Sequence, residues 1–339
     1  MNKFKLTILT ILFASLLIFS DALNAAAAGR LYVVAVCRDA NAVEILDGET
    51  LKSLARIPVG EAPHEAIVSA DGRTAYVTNY GTKEKAGNSL SIIDLYALKE
   101  TKRVDLGDLT RPHGLQEADG KIYFTAEAAK SVARFDPASG KVDWRAKTDQ
   151  IASHLLAVGA GGRMIYTANI ASGSVTMIDA SPGAEAKVTQ LPVGKQPEGI
   201  TLAPDGKTLW VGHRADGLIS VIDTATAKVS ATLTAGQMPL RIAYAPDGKR
   251  VYAISPQEGA VLVFDAATRK EIGRITIDGA PVGLIVSPDG ERVFVTDLKN
   301  GKVFSLDAQK LSVTGSVVVK TLSDGIGLGF VSQTAAKRN

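Results

Sequence analysis

The sequence predicts an all-β chain folded as a seven-bladed β-propeller with four antiparallel strands per blade. Two ladders of recurring residues and one recurring turn carry that prediction. The first ladder is a β-rich run ending in apolar-apolar-Asp, at Asp47, Asp94, Asp136, Asp179, Asp223, Asp265 and Asp307, in steps of 47, 42, 43, 44, 42 and 42 residues. The second runs "PHEA" at Pro63, "PHGL" at Pro112, "SHLL" at Ser153, "PEGI" at Pro197, "PLRI" at Pro239, "PVGL" at Pro281 and "SDGI" at Ser323. Two ladders with one period make seven copies of one unit. The turn after the first run of each unit reads "SADG", "EADG", "GAGG", "APDG", "APDG" and "SPDG" in six units, where Pro presets φ and Gly accepts a positive φ. A helical repeat of this length would need a 3.6-residue apolar period, which is absent.

The chain opens with "MNKFKLTILTILFASLLIFSDALNAAAAGR". Lys3 and Lys5 precede an uncharged apolar run of 14 residues from Leu6 to Phe19, with small residues following at Ala25 to Ala28. Residues 1–28 therefore read as a secretory signal, since the run is shorter than the roughly 20 residues that span a bilayer; an uncleaved anchor is the alternative. An exported protein, periplasmic or secreted, with no membrane span after signal removal is expected. The single cysteine, Cys37, forms no internal disulfide, so the core must hold the fold. Loss of Lys3, Lys5 and Asp21 takes the formal charge from +3 to about +2, which leaves no footprint for nucleic acid.

From Arg30 the chain supplies "RLYVVAV", "AVEILD" and "SLARIPV", the second, third and fourth strands of a blade that lacks its first. The missing innermost strand lies at the far end, in "SDGIGLGFVSQ". Pairing the two ends in one blade removes the open edges of an unclosed sheet. One domain over residues 29–331 with a tail at 332–339 is the expected organisation. Within each unit four short runs rich in β-branched and aromatic residues are separated by turns. Recurrence in every blade marks the strand-three aspartates as structural, and Trp144 and Trp210 fall on strands as core candidates. One loop, "NYGTKEKAGNS", is longer than its counterparts and accounts for the 47-residue step.

"YVTN" at Tyr76 to Asn79, echoed by "YTAN" at Tyr166, "FVTD" at Phe294 and "YFTAE" at Tyr123, resembles the YVTN family of exported seven-bladed propellers, as do the "PDG" turns and the "PVG" at Pro58 and Pro192. The resemblance covers the mature chain and implies the fold. For function it points several ways, because that family is similar to lactonases, to the propeller of nitrous oxide reductase and to non-enzymatic binding proteins.

In a propeller the first strand of each blade lines the axis, so the second ladder places one residue per blade around the channel mouth. These are His64, His113, His154, Glu198, Leu240, Val282 and Asp324. Three of the four histidines in the chain share this one position. With blade seven beside blade one, Asp324, His64, His113, His154 and Glu198 form a polar arc, and Leu240 and Val282 close it with an apolar wall. Flanking Pro and Gly are architecture. A second loop on the same face adds Cys37, Asn79, Glu127, Asn169, His213, Ser255 and Asp297, with Glu127 displaced by one residue.

Neutral imidazoles with carboxylates make a first shell for a divalent transition metal, Zn, Mn, Fe or Cu. His64, His113 and His154 are the expected ligands, with Glu198 or Asp324 completing the shell and Glu127 or Glu198 moving protons. Asn79 and Asn169 either cap turns or face a ligand. Arg38, Arg214 and Arg241 either hold an anionic substrate or pair with Asp39, Asp216 or Asp297. His213 and Asp297 complete the substrate-facing set. By analogy with other propellers, hydrolysis of a lactone or β-elimination from a uronate-like acid fits such a funnel. Copper redox chemistry fits less well, since nitrous-oxide-type sites use more histidines than this chain contains. A binding module for a small polar or anionic ligand, or for a protein partner, remains the alternative.

Overall fold

A computed structural model describes residues 30–319 and 325–331. The export signal, Asp324 and the 332–339 tail lie outside the described residues. Seven four-stranded antiparallel sheets are present among them. Blade one runs Pro63–Val68, Thr74–Gly81, Ala86–Asp94 and Lys99–Asp105. Blades two to six begin at the inner strands Pro112–Ala118, Ser153–Val158, Pro197–Leu202, Ile242–Tyr244 and Pro281–Val286. Blade seven closes the ring in the order Ile326–Val331, Arg30–Cys37, Ala42–Asp47, Ser53–Pro58, with Val33 opposite Leu328 and Val34 opposite Gly327. Strands from the two ends of the described residues thus complete one sheet, with Arg30–Cys37 paired on both sides. No helix among the described residues is long and apolar enough to cross a membrane.

The core sits between blades rather than in one central mass. Trp210 of blade four, fully buried, meets Phe264 and Tyr244 of blade five at ring separations of 5.9 and 6.1 Å. Trp144 departs from the expectation: it lies on the outer strand Lys141–Lys147 and is only partly buried, because outer strands have a neighbour on one side only. The strand-three aspartates do structural work. Asp223 and Asp265 accept bonds from the backbone N–H groups of Thr226 and Thr268 at 2.8 and 2.7 Å, and Asp47 and Asp307 do the same for Thr50 and Lys310. Each closes the turn into the outer strand.

The long "NYGTKEKAGNS" segment is not an open loop. It prolongs the hairpin of blade one, with Gly81 paired to Ala86 and Gly81 at φ +84°, a conformation that favours glycine. The prolonged ribbon carries Tyr80 over the channel mouth.

Candidate functional site

The ring residues are aimed by a local defect repeated from blade to blade. The inner strand slips register against its neighbour between Pro63 and Ala66, between Pro112 and Leu115, between Ser153 and Leu156 and between Pro197 and Ile200. His64, His113, His154 and Glu198 each sit in that bulge, which re-aims a side chain that a regular pleat would direct elsewhere. Two residues ahead of each, Ala62, Arg111, Ala152 and Gln196 take positive φ values of 45 to 57°. A non-glycine residue there costs roughly 1 kcal/mol, and the cost recurs at each of these four entries. The threonine of the "YVTN" motif fixes the bulge to the next blade. Thr78 Oγ1 accepts from the Glu65 N–H at 3.1 Å and donates to the His113 carbonyl at 3.0 Å. Thr125 repeats this between Gly114 N–H, 2.9 Å, and the His154 carbonyl, 2.6 Å.

The three imidazoles come together as a stack. Ring centroids are 4.1 Å apart for His64 and His113, 3.7 Å for His113 and His154, and 6.5 Å for His64 and His154. His113, in the middle, is 1% exposed, and neither of its ring nitrogens has a hydrogen-bond partner. Burial, then the nearby charges of His154, His64, Arg241 and Arg38, drive its proton affinity well below the ordinary histidine value. It is a neutral imidazole with its nitrogens available. The nitrogens and carboxylate oxygens of His64, Glu65 and His113 lie within 4.8 Å of one another, as do those of His113, Glu127 and His154. His113 belongs to both groups.

His154 has the opposite character. Burial opposes its charge, yet the bonds to Glu127 and Glu198 prevail and hold its pKa up to about 10. Glu127 Oε1 lies 2.5 Å from Nδ1 and Glu198 Oε1 lies 3.5 Å from Nε2. Tyr80 donates its hydroxyl to the other oxygen of Glu127 at 2.5 Å, and Arg214 Nη1 pairs with Glu198 Oε2 at 2.8 Å. Desolvation pushes the Glu127 pKa up, but its bonds to His154 and Tyr80 outweigh it and keep it below the usual carboxylate value. The result is one chain, Tyr80, Glu127, His154, Glu198, Arg214, along one side of the stack.

The remaining expected residues divide. Arg214 and Arg241 do not pair with Asp216 or Asp297; they pair with Glu198 and Glu65, because the bulges carry those glutamates inward while Asp216 and Asp297 accept backbone N–H groups at 2.5 and 2.7 Å. Asn79 and Asn169 are buried and donate to side chains of their own blades, Asn79 to Ser89 and Ser91 and Asn169 to Ser174 and Thr176. His213 is buried, bonded through Nε2 to Ser220 Oγ at 2.8 Å, and burial lowers its pKa to about 4. Arg38 stands one residue past the strand Arg30–Cys37. Leu240 and Val282 are buried and pack in one apolar cluster.

Two residues escaped sequence reasoning. Tyr80 lies inside the insertion, out of register with every other blade. Glu65 had a readable signal: the position after the ring residue is Gly in four blades, at Gly114, Gly199, Gly283 and Gly325, and carries opposite charges in two, at Glu65 and Arg241.

Residues 85–290 match the family model described as YNCE-like beta-propeller, and residues 27–127 match that of the cytochrome D1 heme domain. Among solved structures, a functionally unknown protein from Desulfotomaculum acetoxidans is similar at 14% identity, covering 88% of this chain and 99% of its own, with a TM-score of 0.76. Hydrazine synthase from Kuenenia stuttgartiensis is similar at 18% identity over 84% of this chain and 91% of its own, TM-score 0.67. The Cps50 (Swd1) β-propeller domain from Myceliophteria thermophila is similar at 12% over 76% and 86%, TM-score 0.65. At these identities the likeness shows the fold alone. No curated protein matches the chain.

Proposed function

The chain belongs to the YNCE-like beta-propeller family, and on that scaffold we propose that the channel mouth binds a divalent transition metal and acts on a small polar substrate as a hydrolase or lyase. One observation carries the reading. A fully buried imidazole, His113, keeps both nitrogens unpartnered between two other imidazoles, and unpaired buried polar atoms cost on the order of 1–3 kcal/mol each. A metal ion at one of the two nitrogens removes part of that cost, with His64 and Glu65, or His154 once its proton is displaced and Glu127, as the neighbouring donors. Asp324 is the further ligand proposed from the repeat.

A bound divalent ion polarises a carbonyl or supplies hydroxide near neutral pH. The side chains then divide the remaining work. Glu127, backed by Tyr80, sets the orientation of His154, and Glu198, backed by Arg214, holds its other side. A substrate entering over the stack meets these carboxylates as proton acceptors, suited to a lactone, where water adds to the carbonyl carbon and the ring C–O bond breaks, or to a uronate-like acid, where the α-proton passes to a carboxylate, a C=C bond forms and the β C–O bond breaks. Residues 1–28 direct the protein to the periplasm or beyond in this reading.

Purified protein without a histidine tag is expected to contain about one divalent metal per chain, absent from His113→Ala. A parent that carries none and takes up none on titration sinks the reading. Lactones and uronates are then screened for turnover, and saturable binding without turnover assigns a binding module instead.

A second reading has one specific support, the match of residues 27–127, which include His64, Tyr80 and His113, to a heme domain. The imidazole spacings of 3.7 and 4.1 Å leave no room for a planar macrocycle between the rings. Were a tetrapyrrole bound, an imidazole of the stack would hold its iron, and the group would supply redox chemistry. A Soret band in the purified or reconstituted protein is the result that favours it over a bare ion.

A further inference from the structure

Among the described residues, the mouth holds more positive charge than its carboxylates neutralise. Glu65 is taken by Arg241, with Nη2 2.7 Å from Oε1 and Nη1 3.2 Å from Oε2. Glu198 is taken by Arg214 and His154, and Glu127 by His154 and Tyr80. That leaves two guanidinium groups beside the imidazoles with no carboxylate partner among the described residues, Arg38 and Arg111. Arg111 stacks on the Tyr80 ring with Cζ 5.0 Å from its centroid, and its Nη2 donates to the Thr82 carbonyl at 2.9 Å. The Tyr80 ring in turn is 5.4 Å from His64 and 5.5 Å from His113.

Arg38 approaches from blade seven. Its strand is held at the mouth by the Val36 N–H bond to Gly325, 3.1 Å, and Gly325 packs against the His64 carbonyl so closely that a Cβ would strike it. Arg38 is also one of the charges felt by His113. Two guanidinium groups left over at the mouth, where the described carboxylates are already paired, call for an anion from outside. Guanidinium forks bind carboxylate and phosphoryl oxygens with two parallel bonds.

We propose that the site takes a small oxyanion, its carboxylate or phosphoryl group held by Arg38 and Arg111 beside the imidazole stack. This deepens the metal-site reading and rests on it for the place of the reacting centre. Arg38 and Arg111 set specificity, and the imidazole stack is left for the ion.

The test is calorimetric titration of the parent, Arg38→Gln, Arg38→Lys and Arg111→Gln with succinate and with inorganic phosphate at low salt, metal content being measured on the same samples. Saturable binding of one anion by the parent is expected, weakened at least about tenfold in Arg38→Gln and Arg111→Gln and only partly restored in Arg38→Lys, which keeps the charge but not the fork, with metal content unchanged throughout. The anion that saturates at lower concentration names the group. Arg38 is partly exposed in a single turn outside the sheets, so its loss leaves the fold intact, which an unchanged Tm verifies. The proposal is overturned if neither anion saturates the parent, or if Arg38→Gln binds as the parent does. A metal-free parent that still binds the anion through Arg38 would overturn the metal reading alone.

Discussion

Arg241 of blade five reaches Glu65 of blade one across the central channel, with Glu65 buried and Arg241 mostly so, their side chains 7% and 13% exposed. The pair floors the mouth. Beneath it the channel continues as a cavity of about 530 Å³ lined by Leu115, Leu156, Ile200, Leu202 and Leu284 and open toward the face of the "PDG" turns. Burial alone would raise the Glu65 pKa, but Arg241 and His64 overcome it and hold it at about 2. The charge is therefore fixed, and the ring is tied across its diameter by one ion pair as well as around its circumference by strand pairing.

Breaking that tie from one side leaves a buried charge. Glu65→Ala is expected to cost about 3–5 kcal/mol, whereas the double change Glu65→Leu with Arg241→Met costs less, since the Arg241 charge is removed together with its partner. Urea unfolding of Glu65→Ala, Arg241→Met and the double measures it. Linkage adds a pH signature: a carboxylate depressed to about 2 in the fold contributes fully above the unfolded value near 4.3 and loses its contribution as pH falls from there toward about 2. The double variant should lack that loss.

Tyr80→Phe tests the ribbon that sequence periodicity did not explain. Removing the hydroxyl strands one oxygen of the mostly buried Glu127, a loss of about 1–3 kcal/mol, and loosens the hold on His154. Reduced stability with retained metal is the expected outcome. Full loss of metal would instead make Tyr80 part of the binding shell.

The fold was legible because a repeat is read seven times over. The Pro and Asp ladders and the "PDG" turns each name a backbone requirement, and the closing strand at Ile326–Val331 followed from the missing inner strand ahead of Arg30. The polar arc was legible for the same reason, since His64, His113 and His154 share one bulge. Pairing across the channel was not. Arg241 and Glu65 are 176 residues apart, so the partner is set by the geometry of the closed ring, and Arg214 chose Glu198 over the nearer Asp216 by the direction of a bulge. Trp144 was misread because strand alternation does not distinguish an inner strand from an outer one.

Gly114 is where one blade's backbone meets the next. A Cβ there would lie 2.7 Å from the His154 carbonyl oxygen and 2.9 Å from the Leu155 Cα, both backbone atoms with no freedom to yield. Gly114→Ala is expected to cost about 1–3 kcal/mol by overpacking and to displace His154 from its stack. Gly120→Ala is the control: no atom lies within 4 Å of its Cβ, yet its φ is +69°, so it reports backbone strain without contact. Chemical-shift changes at the His154 ring in Gly114→Ala alone would verify the displacement, and equal changes in both variants would refute it.

His213 occupies the register that Asn79 holds in blade one and Asn169 in blade three, and it makes the same bond, to a hydroxyl two residues beyond its strand partner, Ser220 as against Ser91 and Thr176. An imidazole there brings a proton the site does not want. Burial lowers its pKa to about 4, with Asp216 opposing only in part, against about 6.5 unfolded. Between those values the unfolded chain binds the proton and the folded one does not, so stability rises with pH through the window. The contribution is complete above about pH 6.5 and falls away below it, a loss of about 2 kcal/mol by pH 5. Asparagine is the repeat's own alternative at this position and has no proton to exclude. His213→Asn is therefore expected to match the parent in urea midpoint near pH 7.5 and to exceed it at pH 5, while parallel curves would show that the proton on His213 is not what the fold resists.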